Sequence, residues 1–266
     1  MPRAYDRGMV KPETPLLGRI ALVTGAAGRG AGHATALALA RDGADVVVNT
    51  HRSRDAAEAV AEEVRGFGRR ALVVVADVSV PVEVDALFAE ARATLGEPSI
   101  VVASAGALWK PRPIDAIPPE EWRIAMAEEV DALYLLARAC LPAMRAAGWG
   151  RIAAVGGFDT EDWRAPSDDG PLDYALGKAA RHWLVRTLAR QEARYGVTVN
   201  GVAPGPVTRV PPEALLDAIR GAHALDGYRR PTQVDVAEAI AWLVAQSAVN
   251  GTIVSLPGPE PGAVKA

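Results

Sequence analysis

The chain has 266 residues and a formal net charge of -3; half of its residues are apolar and 23% are charged. That length suits one α/β domain with a sizeable core, and the near balance of charge excludes the basic footprint of a nucleic-acid binder. A single cysteine, Cys140, excludes a disulfide scaffold and a cysteine zinc site. Of the 29 basic residues only four are lysines (Lys11, Lys110, Lys178 and Lys265), so each lysine that is kept raises a chemical question.

Taken from the start, residues 1–17 mix Pro2, Pro12 and Pro15 with charges and lead into no apolar core. They read as a flexible tail rather than a signal peptide. No apolar run approaches membrane-spanning length. The expectation is a cytoplasmic protein with no membrane or nucleic-acid partner and one domain over 18–266.

The run Arg19 to Gly25 is a buried strand ending in glycine. A glycine-rich turn follows, then an alanine-rich helix to Arg41 that Asp42-Gly43 stops. Strands are expected at Ala44–Val48, Ala71–Ala76, Ser99–Ala103, Arg151–Val155, Val197–Val202 and Thr252–Leu256. Helices are expected at Ala56–Gly66, Val82–Leu95, Glu120–Ala147, Tyr174–Tyr195 and Val234–Ala245. Strictly alternating strands and helices predict an α/β fold, a Rossmann-type doubly wound parallel sheet of about seven strands.

Thr24-Gly-Ala-Ala-Gly-Arg-Gly-Ala-Gly32 lies between the first strand and the first helix. Glycines there let backbone approach a pyrophosphate, and the helix N-terminus offers free N–H groups. Gly25, Gly28, Arg29, Gly30 and Ala31 are therefore candidate cofactor-binding residues. The second strand ends in Asn49-Thr50-His51-Arg52, without the acid that would hold a ribose 2′-hydroxyl. Arg52, with help from Arg29, suits a 2′-phosphate, which favours NADP over NAD. Asp77, with Val78 after it, ends the third strand and is placed to accept from the adenine amino group; as a bare feature it is equally a helix cap.

Tyr174 and Lys178 stand four residues apart at the start of a helix, on one face. A nearby ammonium is expected to lower a phenol's pKa from its usual ~10 and make the tyrosine a usable acid or base. The four histidines (His33, His51, His182 and His223) show no ligand spacing, so no metal is expected.

These pieces together make the chain resemble the short-chain dehydrogenase/reductase family. The matching motifs come in the family's order: Thr24-Gly25 and its glycines, Asp77-Val78, Ser104-Ala105-Gly106, Tyr174 with Lys178, Asn200, Pro204-Gly205, and Arg230-Pro231 before Asp235-Val236-Ala237. The resemblance implies a seven-stranded sheet, hydride transfer between NAD(P) and a carbonyl or alcohol, and a homodimer or homotetramer. It makes Tyr174 the proton donor and Lys178 the group that holds the nicotinamide ribose. Ala105 and Gly106 would line the cofactor, and Pro204, Gly205 and Val207 the nicotinamide.

The chain departs from the family at informative places. Its glycine turn is one residue longer than the family pattern. The family's catalytic serine aligns with Gly157, which has no side chain to donate; Thr160 or Asp159 is the candidate replacement. The family's catalytic asparagine aligns with Glu129, expected either to pair with Lys178, to take a proton itself, or to sit in a solvated turn. Losing one preorganised donor typically costs about 3–4 kcal/mol of transition-state stabilisation.

Three readings follow. The first is an NADP-dependent reductase of a carbonyl or related group in a small molecule. The second is a non-redox isomerase, dehydratase or cyclase using Tyr174 and Glu129. The third is a silent cofactor-binding protein. Trp109, Trp163 and Tyr134 are candidates for aromatic surface near the mouth, the acidic residues from Asp159 to Asp169 for a solvated loop or for favouring a cationic substrate, and the stretch 208–228 for a lid.

Overall fold

Seven short runs of valine, isoleucine, leucine and alanine line up as strands: β1 (Ile20–Val23), β2 (Asp45–Thr50), β3 (Ala71–Val75), β4 (Ile100–Ala103), β5 (Gly150–Val155), β6 (Val197–Pro204) and β7 (Ile253–Leu256). Every neighbouring pair is parallel, in the order β3-β2-β1-β4-β5-β6-β7. Parallel strands are covered on both faces, so even the polar residues of β6, Thr198 and Asn200, are buried. The computed structural model describes residues 14–161, 170–222 and 229–258.

The helices are α1 (Ala31–Arg41), α2 (Arg54–Arg65), α3 (Pro81–Thr94), α4 (Pro119–Met126), α5 (Ala132–Ala147), α6 (Leu172–Glu192), α7 (Pro212–Asp217) and α8 (Gln233–Ala245). Successive strand residues point to opposite faces. Ala21, Val23, Val46 and Val48 join Leu37 of α1, Val60 of α2 and Ile240 of α8 in one core. Leu22, Val47 and Val101 join Leu87 of α3, Leu136 of α5 and Val185 of α6 in the other. Connections from β1 and β4 leave in opposite directions, and the crevice between their C-terminal ends is where such sheets bind ligands.

Three expectations need correction. Of the tail expected over 1–17, residues 1–13 lie outside the described residues. Residues 15–18 form a turn in which Leu16 is buried in the core and donates its N–H to Asp42 O at 2.8 Å. The helical stretch expected over Glu120–Ala147 is continuous but not uniform: a π-helical segment, Ala127–Asp131, joins α4 to α5. Within the stretch 208–228, α7 is an unforeseen short helix, and residues 223–228 lie outside the described residues.

The glycine turn shows why α1 starts where it does. A Cβ on Gly32 would stand 2.6 Å from Gly25 O, backbone against backbone, so only glycine lets the helix start lie this close to the end of β1. Gly32→Ala should destabilise the protein by about 1–3 kcal/mol, read as a lower thermal midpoint. An unchanged midpoint would mean that this close approach is not a constraint.

Candidate active site

A cleft opens at the C-terminal ends of β1 to β4. It is lined by Gly25, Asn49, His51, Ala76, Asp77, Val78, Ser79, Ala105, Gly106 and Glu128. Thr24 ties its floor together: its hydroxyl oxygen accepts from the N–H groups of Ser104 and Ala105, each at 3.0 Å. Gly30 caps α1 without a side-chain hydrogen bond, and a Cβ on Gly28 or Gly30 would meet nothing, so the helix start is open to a ligand. Gly25, with φ +63, would meet Ala105 if it carried a Cβ. Glycines in this arrangement fit a dinucleotide's phosphates at a helix N-terminus.

Arg29 and Arg52 are both exposed at the rim. Asp77 is doubly occupied: its Oδ1 accepts from Ser79 N at 2.9 Å and Ser79 Oγ at 2.6 Å, while Oδ2 lies 3.4 Å from His51 Nε2. Burial pushes its carboxyl up, but the Ser79 hydrogen bonds, with His51 and Arg52 nearby, hold it below the ordinary value. Asp77 lines the cleft but does not cap α3: the cap residue is Val80, which lacks a side-chain hydrogen bond, and Asp77 closes the turn before it. Glu128, which sequence reasoning missed, also faces this cleft. Burial first, then Asp77 and Glu129, raise its carboxyl above the ordinary range.

Beyond Gly106 the cleft meets a buried ionic cluster. Lys178, one helical turn after Tyr174 on α6, places its ammonium over the Tyr174 ring, 5.2 Å from the centroid. Its Nζ lies 3.1 Å from Glu129 Oε2 and donates to Val155 O at 3.3 Å. Glu129 is wholly buried. Its Oε1 accepts from Ala107 N at 2.7 Å, and its Oε2 lies 2.9 Å from Arg181 Nε. Oε2 is thus held by two cations at once. The geometry selects the pairing expectation for Glu129 over the solvated turn.

The expected lowering of the tyrosine's pKa is not found. Burial raises the phenol to about 12; Glu129 adds to the rise and Arg181 opposes it. The Lys178 charge lies over the ring and beside Glu129. Burial lowers Lys178 to about 8, against the pull of Glu129 and with the help of Arg181.

Gly157, buried on the loop after β5, packs on this lysine: a Cβ there would stand 3.2 Å from Lys178 Cγ. The loop turns back at Asp159, whose φ of +61 is the left-handed conformation that a short polar side chain tolerates. The turn brings Thr160 beneath Gly157. Thr160 Oγ1 is buried, donates to Gly157 O at 2.7 Å, and lies 3.7 Å from where a Cβ on residue 157 would stand. Asp159 is exposed and makes no such approach. His182, also missed, lies beside Gly157 with Nε2 3.2 Å from its carbonyl, and its ring fills the space that a side chain on Gly156 would need.

Trp109 is 59% exposed and meets Tyr174 edge-on, with centroids 5.2 Å apart, so the tyrosine has an aromatic wall. Tyr134 sits on α5 with 55% of its surface exposed. Pro204 ends β6, Gly205 follows it, and Val207 is exposed just beyond. Trp163 and most of the acidic run lie outside the described residues. No described helix is long and apolar enough to cross a membrane.

Comparison with known proteins agrees with this geometry. A family model described as enoyl-(acyl carrier protein) reductase matches residues 25–258. The 3-oxoacyl-(acyl-carrier-protein) reductase FabG of Pseudomonas aeruginosa is 35% identical over 246 residues, covering 91% of this chain and 96% of that protein. The NADPH-dependent aldehyde reductase-like protein of Arabidopsis thaliana is 35% identical over 208 residues, 74% of this chain and 75% of its own. A gluconate 5-dehydrogenase from Burkholderia cenocepacia, solved with NADP and tartrate, superposes with a TM-score of 0.76 at 28% identity, covering 91% of this chain and 94% of that one. A metagenomic short-chain oxidoreductase solved with NADP gives 0.76 at 27% identity, covering 93% and 100%. With the cleft, the strand order and the Tyr–Lys pair, these place the chain in the short-chain dehydrogenase/reductase family of oxidoreductases.

Proposed function

We propose that the protein reduces a carbonyl, or a related unsaturated group, of a small organic substrate with NADP(H), and that Tyr174 is the proton donor. One observation carries this reading: the Tyr174–Lys178 pair stands next to the nucleotide cleft, with Gly106 the wall between them. A Cβ on that glycine would be 3.0 Å from Lys178 Nζ.

The residues of the cleft fit the cofactor in order. Gly25, Gly28, Arg29, Gly30 and Ala31 would hold the pyrophosphate, Arg52 the 2′-phosphate, and Asp77 with Val78 the adenine. Ala105, Gly106, Lys178, Pro204, Gly205 and Val207 would hold the nicotinamide end. β2 ends without an acid, which supports NADP, as do the relatives and neighbours named with it. Bound there, the nicotinamide supplies the hydride.

The chain's own task is the proton. A phenol raised to about 12 is protonated at neutral pH. That is the state a donor needs, so the site favours reduction over the reverse, which needs a phenolate. Lys178 keeps positive charge beneath the ring. Thr160 offers the hydroxyl nearest to the serine position; it takes that part by exchanging its Gly157 acceptor for the substrate oxygen. Glu129 has no exposed surface and two cations beside it, which argues against substrate acid–base work and so against the non-redox reading.

The same reading makes the protein a cytoplasmic homo-oligomer. Trp183 on α6 and Trp242 on α8, each more than half exposed, are apolar surface that such an assembly would cover.

Tyr174→Phe should keep NADPH binding and lower turnover by roughly 100- to 10,000-fold, measured as NADPH oxidation with a panel of ketones, aldehydes and 3-oxoacyl thioesters. Turnover equal to wild type would refute the donor role. The pH profile of reduction should be flat through neutrality and fall above about 8, as Lys178 gives up its proton. A rate that climbs steadily through that range would contradict the assignment.

A further inference from the structure

Arg181 is the largest of the fully buried side chains, with 1% of its surface exposed. A lone guanidinium in a protein interior needs a reason. All three of its nitrogens donate to main-chain oxygens. Nε reaches Glu129 O at 2.7 Å. Nη1 reaches Ala103 O at 3.2 Å and Val155 O at 3.0 Å. Nη2 reaches Ala105 O at 2.6 Å and Glu128 O at 3.1 Å. One side chain thus gathers the end of β4, the end of β5 and the π-helical segment onto α6.

Lys178 lies one turn earlier on the same helix and shares two of these partners. Both cations lie beside Glu129 Oε2, and both donate to Val155 O. The carboxylate that they share has glycine walls. A Cβ on Gly177 would stand 2.6 Å from Glu129 Cβ, and one on Gly106 would run into Oε1. An asparagine in this cradle would leave two buried cations facing each other with no anion between them. The glutamate and the arginine therefore need each other.

We propose that Arg181 is a positioning residue of the reaction centre: it fixes the Glu129 carboxylate, and the carboxylate in turn holds Lys178 beneath the Tyr174 ring. This rests on reading Tyr174 and Lys178 as the reaction centre. Among the described residues, the titratable groups beside Lys178 are Tyr174, Arg181 and His182 on its own helix and Glu129 on the π-helical segment. The loops after β4 and β5 present backbone and the Thr160 hydroxyl.

The chain's four lysines make the test direct. Lysine labelled with 13C at Cε gives four signals to follow against pH in the full-length protein, and Lys178→Arg identifies the one that disappears. Wild-type Lys178 should titrate near 8. Arg181→Leu removes a cation and should move that titration up by about one pH unit or more. Glu129→Gln removes the anion and should move it down. NADPH affinity, read by fluorescence titration, should weaken in both. Where Arg181→Leu does not fold, Arg181→Gln keeps an amide donor for the carbonyls and carries the same test. Opposite shifts with weakened NADPH binding in folded variants support the proposal. A Lys178 titration or an NADPH affinity that stays at its wild-type value in a folded Arg181 variant overturns it, because a cation that is only a neighbour moves the titration by its charge without changing how Lys178 is held for the cofactor. The signal reports Lys178 whether or not hydride transfer occurs, so its outcome is separate from that of the activity reading.

Discussion

A carboxylate with no exposed surface needs cations close by to offset its lost hydration. Glu129 has two, at 3.1 and 2.9 Å from the same oxygen, and much of the site follows from that arrangement. It explains why Lys178 can be buried at all, although burial still lowers its affinity for a proton. It contributes to the raised phenol of Tyr174, since negative charge nearby disfavours a phenolate. It requires Gly106 and Gly177, because side chains there would occupy the carboxylate's space. It also gives Arg181 a charge partner in addition to its five carbonyls.

The π-helical segment serves the same end. Glu128 and Glu129 are adjacent, yet one faces the nucleotide cleft and the other the buried cluster. They sit on the π-helical segment between α4 and α5, where the wider turn interrupts the regular helical spacing. Such segments recur at functional sites. Here the segment presents one acid to the cleft beside Asp77 and its neighbour to the lysine, and Arg181 holds it down by two of its carbonyls.

Much of this was legible in the residues. Continuous apolar runs between helical stretches marked the parallel sheet, and the glycines after β1 and the Tyr174–Lys178 spacing marked the two halves of the site. Gly157 and Glu129 were legible as departures. The π-helical segment was not, because nothing between Ala127 and Asp131 interrupts helical periodicity as a proline or glycine would. Arg181 did leave a signal: with Tyr174, Lys178 and His182 it forms a polar stripe at helical spacing on a face that elsewhere carries Val185 into the core. The direction of the tyrosine's shift could not be read from spacing. Four residues apart means neighbouring, but the burial of the phenol and the charge of Glu129, distant in sequence, set the direction.

The loop after β5 completes the picture. With no side chain at Gly157, the left-handed turn at Asp159 returns a hydroxyl, Thr160, to the same neighbourhood. In the proposed reading, Thr160 and Glu129 stand in for the family's serine and asparagine on either side of the Tyr–Lys pair. The most direct test of a reductase built this way is stoichiometry. Protein, NADPH and a carbonyl substrate are mixed, and nicotinamide absorbance is followed alongside product. The account predicts one NADPH consumed for each alcohol formed, whereas product formed without loss of NADPH would contradict it.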